Sequence, residues 1–265
     1  MAWLVGLILA AGVAGLAWRA GLLQASGALA ATLVGAATWG GAGWRGAVLV
    51  LAFFVSSSAL SRWRLTSKRS LQPVVAKGGR RDAWQVVANG GSAALLAVAY
   101  GQAGGLAEGW LAGMIGALAA ATADTWATEI GVLSSRAPRL LTNGQIVARG
   151  ASGGVTSTGL LASLAGAAGM SGLGAWLWGE PRLMVIGLVA GVLGSLLDSL
   201  LGATLQANYV CPRCGSETEQ HPRHVCGSQT VLRRGLPWMG NDLVNLLCSV
   251  AGAIVAMAIG CVSLG

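Results

Sequence analysis

The sequence predicts an all-α polytopic membrane protein of about eight transmembrane helices, and three observations carry that prediction. Of its 265 residues, 54% are hydrophobic and only 10% charged, where about a quarter of a soluble domain is charged. Mean hydropathy is +0.67. The 42 glycines would weaken soluble helices, but small residues let helices approach closely in lipid, where no hydrophobic force drives them together. Residues 1–265 read as a single transmembrane helical domain.

Apolar stretches of the about 17 to 25 residues that cross a bilayer fall at 2–18, 21–39, 44–60, 84–101, 104–123, 153–177, 183–206 and 240–262. The first has no basic leader region and no small-residue cleavage site followed by a polar chain, so it reads as a retained span. This count assigns every loop to one of two sides, and 15 of the 17 Lys and Arg fall on the same side, with only Arg45 and Arg182 opposite. The positive-inside rule makes the rich side cytoplasmic, with both termini outside the cell membrane. The net charge of +8 is then a topology signal, and no nucleic-acid partner is expected. The three long loops, 61–83, 124–152 and 207–239, are all cytoplasmic, and the last is a Cys/His loop inserted between the seventh and eighth helices.

"AGMIG" (112–116) matches "AGVLG" (190–194), and "SLAGA" (163–167) matches "SVAGA" (249–253). These matches suggest a parallel internal repeat in which helices five and six duplicate seven and eight. A site is expected at the interface of such repeats. In helix five, Gly109, Gly113, Gly116, Ala120 and Asp124 recur at steps of three and four and form one stripe. Gly187, Gly191, Gly194 and Asp198 do the same in helix seven. Each carboxylate therefore lies on a tightly packed face. Within a span, an acid costs about 2.5 to 3.5 kcal/mol and requires a partner, a proton, a metal or water.

Asp82, Gln85, Asn89 and Ser92 share a stripe at the cytoplasmic end of helix four, and helix eight opens with Asn241, Asp242 and Asn245. With Asp124, Glu129 and Asp198 these residues offer the oxygen ligands that a hard cation such as Mg²⁺ takes together with phosphate oxygens. Asp124 and Glu129 are about 140° apart on a regular helix, so one site for both requires the helix to end or break between them. "RGASGGVTSTG" (149–159) places a basic residue, glycines and hydroxyls at a helix N-terminus, which favours an anion. "KGGRRDAW" (77–84) supplies Lys77, Arg80 and Arg81. No GxxxxGK[ST] motif is present, which argues against a Walker-type nucleotide site.

"CPRCGSETEQHPRHVCG" (211–227) offers Cys211 and Cys214 as a CPxCG knuckle, with Cys226 and either His224 or His221 completing four ligands for a structural Zn²⁺. A Cys211–Cys214 disulfide is disfavoured in a reducing cytosol. Cys248 and Cys261 read as small packing residues.

Taken in order, "KGGRRDAWQVVANGG" (77–91), "ATADTWATEIG" (121–131), "VARGASGGVTSTG" (147–159), "GSLLDSLLGATLQ" (194–206) and "GNDLVNLL" (240–247) resemble the phytyl-phosphate kinase-like multispanning membrane protein family. The resemblance covers roughly residues 70–260. It implies an enzyme that phosphorylates a prenyl monophosphate to the diphosphate with a nucleoside triphosphate, CTP or ATP, at the cytoplasmic membrane interface. On that expectation Asp124, Glu129, Asp198 and Asp242 hold Mg²⁺, assisted by Asn89, Asn241 and Asn245. Lys77, Arg80, Arg81, Arg149, Gly150, Gly153, Gly154 and Thr156 bind phosphates. The Cys/His loop is not part of the plant enzyme's pattern. Two other classes share these features: a cytidylyltransferase forming a CDP-lipid, and a transporter or flippase of polyprenyl phosphates. The transporter reading expects polar residues reaching both faces, whereas Glu108 and Glu180 lie near the external rim and the other acids are cytoplasmic.

Overall fold

The computed structural model describes residues 1–63, 79–103 and 107–263. Its elements in chain order are α1 (Ala2–Arg19), α2 (Ala25–Arg62), α3 (Ala83–Gln102), α4 (Ala107–Gly131), β1 (Arg139–Leu140), β2 (Gly154–Val155), α5 (Ser157–Trp178), α6 (Arg182–Thr204), β3 (Asn208–Val210), β4 (Glu217–Thr218), β5 (Val231–Arg234) and α7 (Asn241–Ser263). Among the described residues five helices, α1, α2, α5, α6 and α7, are long and apolar enough to cross a membrane. The chain is a multi-pass membrane protein.

The 38 residues of α2 would span about 57 Å if straight, yet both ends lie together. Gln24 donates its backbone N–H to Arg81 and the Arg62 side chain donates to the Ala20 carbonyl at 2.6 Å. The reversal occurs at Gly43, whose φ of 65° and ψ of −160° leave the helical region, a conformation that glycine adopts without steric cost. The limbs on either side occupy the positions expected for helices at 21–39 and 44–60, joined by one residue instead of a loop. At this turn Arg45 lies over the Trp44 and Trp178 rings, and Trp178 donates to the Tyr100 hydroxyl at 3.1 Å. Exposed Trp18, Trp63, Trp84 and Trp238 mark the opposite end of the bundle, so aromatic residues stand at both expected membrane interfaces.

Helix α4 is the axis of the bundle. It packs against α2, α3, α5, α6 and α7, and every residue from Leu111 to Ala123 is buried. A helix apolar on all sides is an interior helix. Its glycine stripe is the seam with α7 and α6. A Cβ on Gly116 would collide with the Ala256 side chain and stand 2.5 Å from the Gly252 carbonyl oxygen, and a Cβ on Gly252 would meet the Gly116 carbonyl at 2.6 Å. Likewise Gly191 faces Ala119 and Gly194 faces Ala120. The α4 glycines therefore face α7, while the α6 glycines face Ile115, Ala119 and Ala120 of α4, and these faces lead to Asp124 and Asp198.

Two boundaries differ from the sequence expectation. Helix α4 does not stop at 123; it continues unbroken through Asp124 and Glu129 to Gly131. Helix α5 starts at Ser157 and not at 153, because Gly153 has φ +78° and Gly154–Val155 pairs antiparallel with Arg139–Leu140. Thr156 is its N-cap, accepting a hydrogen bond from the Gly159 amide at 3.0 Å. After α6 the chain forms a three-stranded antiparallel sheet in the order β4-β3-β5, which returns to the bundle where Ala207 donates to Met239 at 2.8 Å.

Replacing Gly116 by Ala is expected to lower unfolding stability in detergent by about 1 to 3 kcal/mol through overpacking of the α4–α7 seam. Gly12→Ala, where an added Cβ meets nothing within 4 Å, serves as the control, with a change within about 0.5 kcal/mol. Thermal unfolding followed by tryptophan fluorescence checks both.

Candidate functional site

A cavity of about 800 Å³ opens at the end of the bundle where the long loops gather, and α2 through α7 all contribute to its walls. This is the size of pocket that accepts a small organic ligand. At its deep end the carboxyl groups of Asp124 and Asp198 are hydrogen-bonded to one another. The Asp198 Oδ2 atom is buried with no hydrogen-bond partner among the described residues. Two carboxylates in contact cannot both ionise without a proton or a cation between them, so the close packing of α6 on α4 creates a place that calls for positive charge.

Glu129 lines the same cavity even though α4 is unbroken, because the cavity wraps around the end of the helix: Thr125, Ala127, Thr128, Gly131 and Val132 also line it. Its carboxylate has separate company. Ser61 at the end of α2 donates to Glu129 Oε1 at 2.5 Å, and the charge of Glu129 acts on Arg81. Partial burial pushes the Arg81 guanidinium below its usual range while Glu129 pushes it back up. The group lies 5.9 and 5.7 Å from the Phe53 and Phe54 ring centres, a cation–π arrangement. Its backbone is tied to the start of α2, accepting from Gln24 at 2.9 Å and donating to Leu22 at 3.0 Å.

The other expected residues divide as follows. Asn89 on α3 and Asn241, Asp242 and Asn245 on α7 line the cavity, as do Arg149, Gly150, Gly153, Gly154 and Thr156 from the loop before α5. Arg80 is turned away from this cavity; its guanidinium donates to the Leu23 carbonyl at 3.1 Å. Lys77 lies outside the described residues. Part of the polar stripe on α3 is structural: Asp82 and Gln85 form a capping box, and Ser92 bonds to Ser249 of α7. Gly153 is pressed against Gly202 and Ala203, where Arg234 clamps the junction by donating to the carbonyls of Ala203 and Ser152.

Several lining residues escaped the sequence reading, chief among them Ser61, Ser152, Gln206 and Glu219. Glu219 comes from the Cys/His loop, and its Oε1 accepts from Ser152 at 2.5 Å and from Gln206 at 2.9 Å. The only cue for it was its place in a loop rich in metal-ligand residues. Apolar walls complete the cavity, formed by Phe53, Trp84, Val87, Leu160 and Leu246.

Cys211, Cys214, His224 and Cys226 form a separate cluster whose ligand atoms all lie within 4.8 Å of one another. The Cys211 and Cys226 sulfurs are 3.5 Å apart, and His224 Nδ1 is 3.3 Å from Cys226 and 3.7 Å from Cys214. Two turns build the cluster, each followed by a glycine of positive φ, Gly215 at 65° and Gly227 at 84°. Gly215 donates to the Cys211 carbonyl and Gly227 to the His224 carbonyl, both at 2.8 Å. The geometry selects His224 as the fourth member. His221 instead stacks on Tyr209, with ring centres 4.4 Å apart. Although burial pushes the Cys211 thiol up, hydrogen bonds from the Cys214 amide, the Cys226 thiol and the Arg213 amide bring it down to about 6. Cys214 is raised to about 11, first by its hydrogen bond with Cys226 and then by burial. A Cys₃His set of this kind suits a soft or borderline metal.

The family model described as integral membrane protein DUF92 matches residues 8–253. Protein PGR of Arabidopsis thaliana is 34% identical over 242 residues, covering 81% of this chain and 84% of that protein. An uncharacterized membrane protein of Methanocaldococcus jannaschii is 29% identical, covering 83% of this chain and 78% of its own length. The chloroplastic protein VTE6 of Arabidopsis thaliana is 28% identical, covering 89% of this chain and 64% of its own. No solved structure matches the chain.

Elemental analysis of the purified protein is expected to find one tightly held divalent metal per chain. Cys214→Ser and His224→Ala are expected to lose it, whereas His221→Ala retains it.

Proposed function

The chain belongs to the integral membrane protein DUF92 family, and on that premise we propose that it is a membrane kinase which transfers the terminal phosphoryl group of a nucleoside triphosphate, CTP or ATP, to a prenyl monophosphate of phytyl or polyprenyl type. The observation that carries this reading is the composition of the cavity: paired acids at its deep end, arginines and a glycine-rich loop on its walls, and apolar surface beside them. A molecule with a phosphate head and a hydrocarbon tail matches all three. The cavity opens on the face that the basic loops mark as cytoplasmic, where nucleotides are available.

In the transfer an oxygen of the acceptor phosphate attacks the terminal phosphorus. The bond from that phosphorus to its bridging oxygen breaks, and the nucleoside diphosphate departs with the bridging oxygen. The acceptor is already an anion at neutral pH, so the reaction needs positioning and charge neutralisation more than a strong base. Arg81 and Arg149, with the loop from Gly150 to Gly154 and Thr156, serve to hold phosphates, and Lys77 completes this basic set, while Arg80 is engaged with the Leu23 carbonyl. Arg81 is held in place by the Phe53 and Phe54 rings and by the charge of Glu129, so Glu129 orients a phosphate-binding cation while lining the acidic site.

Asp124 and Asp198, with Glu129 and Asp242 on adjoining walls and Asn89, Asn241 and Asn245 as neutral oxygen donors, form an all-oxygen set that fits Mg²⁺. The buried Asp198 Oδ2, without a hydrogen-bond partner among the described residues, supports that fit. When bound, Mg²⁺ neutralises charge on the donor and transferred phosphates. The Cys211, Cys214, His224 and Cys226 cluster fits a structural Zn²⁺, which takes Cys₃His sets.

Purified protein supplied with Mg²⁺, CTP or ATP, and short-chain prenyl phosphates is expected to yield prenyl diphosphate and nucleoside diphosphate, identified by mass spectrometry. Asp124→Asn and Asp198→Asn are each expected to lower kcat/KM by at least ~100-fold. Full activity in both variants overturns the cation assignment. Release of pyrophosphate with a CDP-lipid moves the protein to the cytidylyltransferases, and movement of lipid phosphate across a bilayer without turnover moves it to the transporters.

A further inference from the structure

Glu219 is placed in the cavity by a part of the chain that is neither a helix nor a helix end. It lies midway between the two turns of the cysteine cluster, eight residues after Cys211 and seven before Cys226. The short strands around it give the loop little apolar core of its own: β4 has two residues and β3 three. The neighbouring acid has a different fate, since Glu217 forms an ion pair with Arg233 on an exposed face. Glu219 is turned into the bundle, with its Oε1 held by Ser152 of the glycine-rich loop and by the buried Gln206 just past the end of α6.

This brings a third acidic charge to the cavity that Asp124 and Asp198 line. Among the carboxylates, Asp124 and Glu219 are those whose charges act on Asp198. The Asp198 Oδ2 atom is buried there without a hydrogen-bond partner among the described residues. Arg234, which shares Ser152 with Glu219, donates to the backbone carbonyls of Ala203 and Ser152. Asp124, Asp198 and Glu219, drawn from α4, α6 and a loop, line one cavity together with that unpartnered oxygen, and carboxylate oxygens are the donors that a hard divalent cation takes.

We infer that Glu219 is a third carboxylate of the Asp124–Asp198 cation site, and that the Cys211, Cys214, His224 and Cys226 centre is the device that holds it there. The inference rests on the cation reading proposed above and deepens it. A metal joining residues 211 and 214 to 224 and 226 closes the segment on both sides of Glu219. Binding free energy at such a centre is spent on ordering the chain around it, and here the ordered chain carries a residue of the other site. The two metal sites are therefore linked: emptying the cysteine centre loosens Glu219 and weakens the carboxylate site without touching its helices.

The test uses the full-length protein in detergent, titrated with Mn²⁺ as a paramagnetic probe of the carboxylate site. Circular dichroism and the melting temperature of each variant establish that the bundle is intact. Glu219→Gln and Cys214→Ser are each expected to weaken Mn²⁺ binding on the order of ten-fold. The double variant is expected to be no weaker than either single one, because both act through one carboxylate. Glu219→Asp recovers part of the affinity, and Glu217→Gln leaves it unchanged. Unchanged affinity in Glu219→Gln, with affinity lost in Asp198→Asn, overturns the inference and leaves the cation site standing. Weakening in Glu219→Gln but not in Cys214→Ser overturns the positioning role of the cysteine centre. Failure of the wild-type protein to bind Mn²⁺ overturns the cation reading itself.

Discussion

Asp124 and Asp198 meet side by side because the glycine stripe of α6 packs against Ile115, Ala119 and Ala120 of α4 and ends on Asp198, beside Asp124. Neither carboxylate can move away without parting helices that are in backbone contact. Like charges so placed require a proton or a cation, and the surrounding architecture is organised around that requirement. Helix α4 is buried from Leu111 to Ala123, and its polar end emerges into the cavity. Every element that reaches it, from Ser61 on α2 to Asp242 on α7, brings a polar group to the same cavity.

The same constraint explains why the site is assembled from so many pieces. In lipid, irregular backbone is tolerated only where it is buried in protein or lines a water-filled cavity. The segments 79–82 and 149–156 are of this kind, and both are fastened to helix ends: Arg81 to Leu22 and Gln24, Gly153 against Gly202 and Ala203. Arginine side chains take part in the fastening, with Arg62 on the Ala20 carbonyl, Arg80 on that of Leu23 and Arg234 on those of Ala203 and Ser152. Basic residues whose distribution sets the topology thus also cap helix ends.

The distribution of glycine shows how a membrane bundle replaces the hydrophobic effect. Where helices face one another, as at Gly116 and Gly252, a methyl group has no room; where they face lipid, as at Gly12 and Gly169, there is open space. Close packing and the hydrogen bonds of Ser92 with Ser249 hold what apolar burial cannot. The cysteine loop obeys different physics. It stands outside the helices, builds its shape from two glycine-closed turns, and relies on ligand chemistry for its order.

Much of this was legible in the amino-acid sequence, because it depends on periodicity and composition. The apolar spans, the inward stripes ending on Asp124 and Asp198, the knuckle at Cys211 and Cys214, and most of the cavity-lining polar residues follow from local spacing. Tertiary structure decided what depends on neighbours distant in the chain. It folded α2 back at Gly43 and carried α4 past Asp124 without a break, so that Glu129 reaches the same cavity because the cavity wraps the helix and not because the helix ends. It chose His224 over His221, turned Arg80 to Leu23, and brought Glu219 from a distant loop into the cavity. Spacing along one helix determines which face a side chain occupies; which group it meets there is set by the packing of segments far apart in sequence, and no local pattern encodes that meeting.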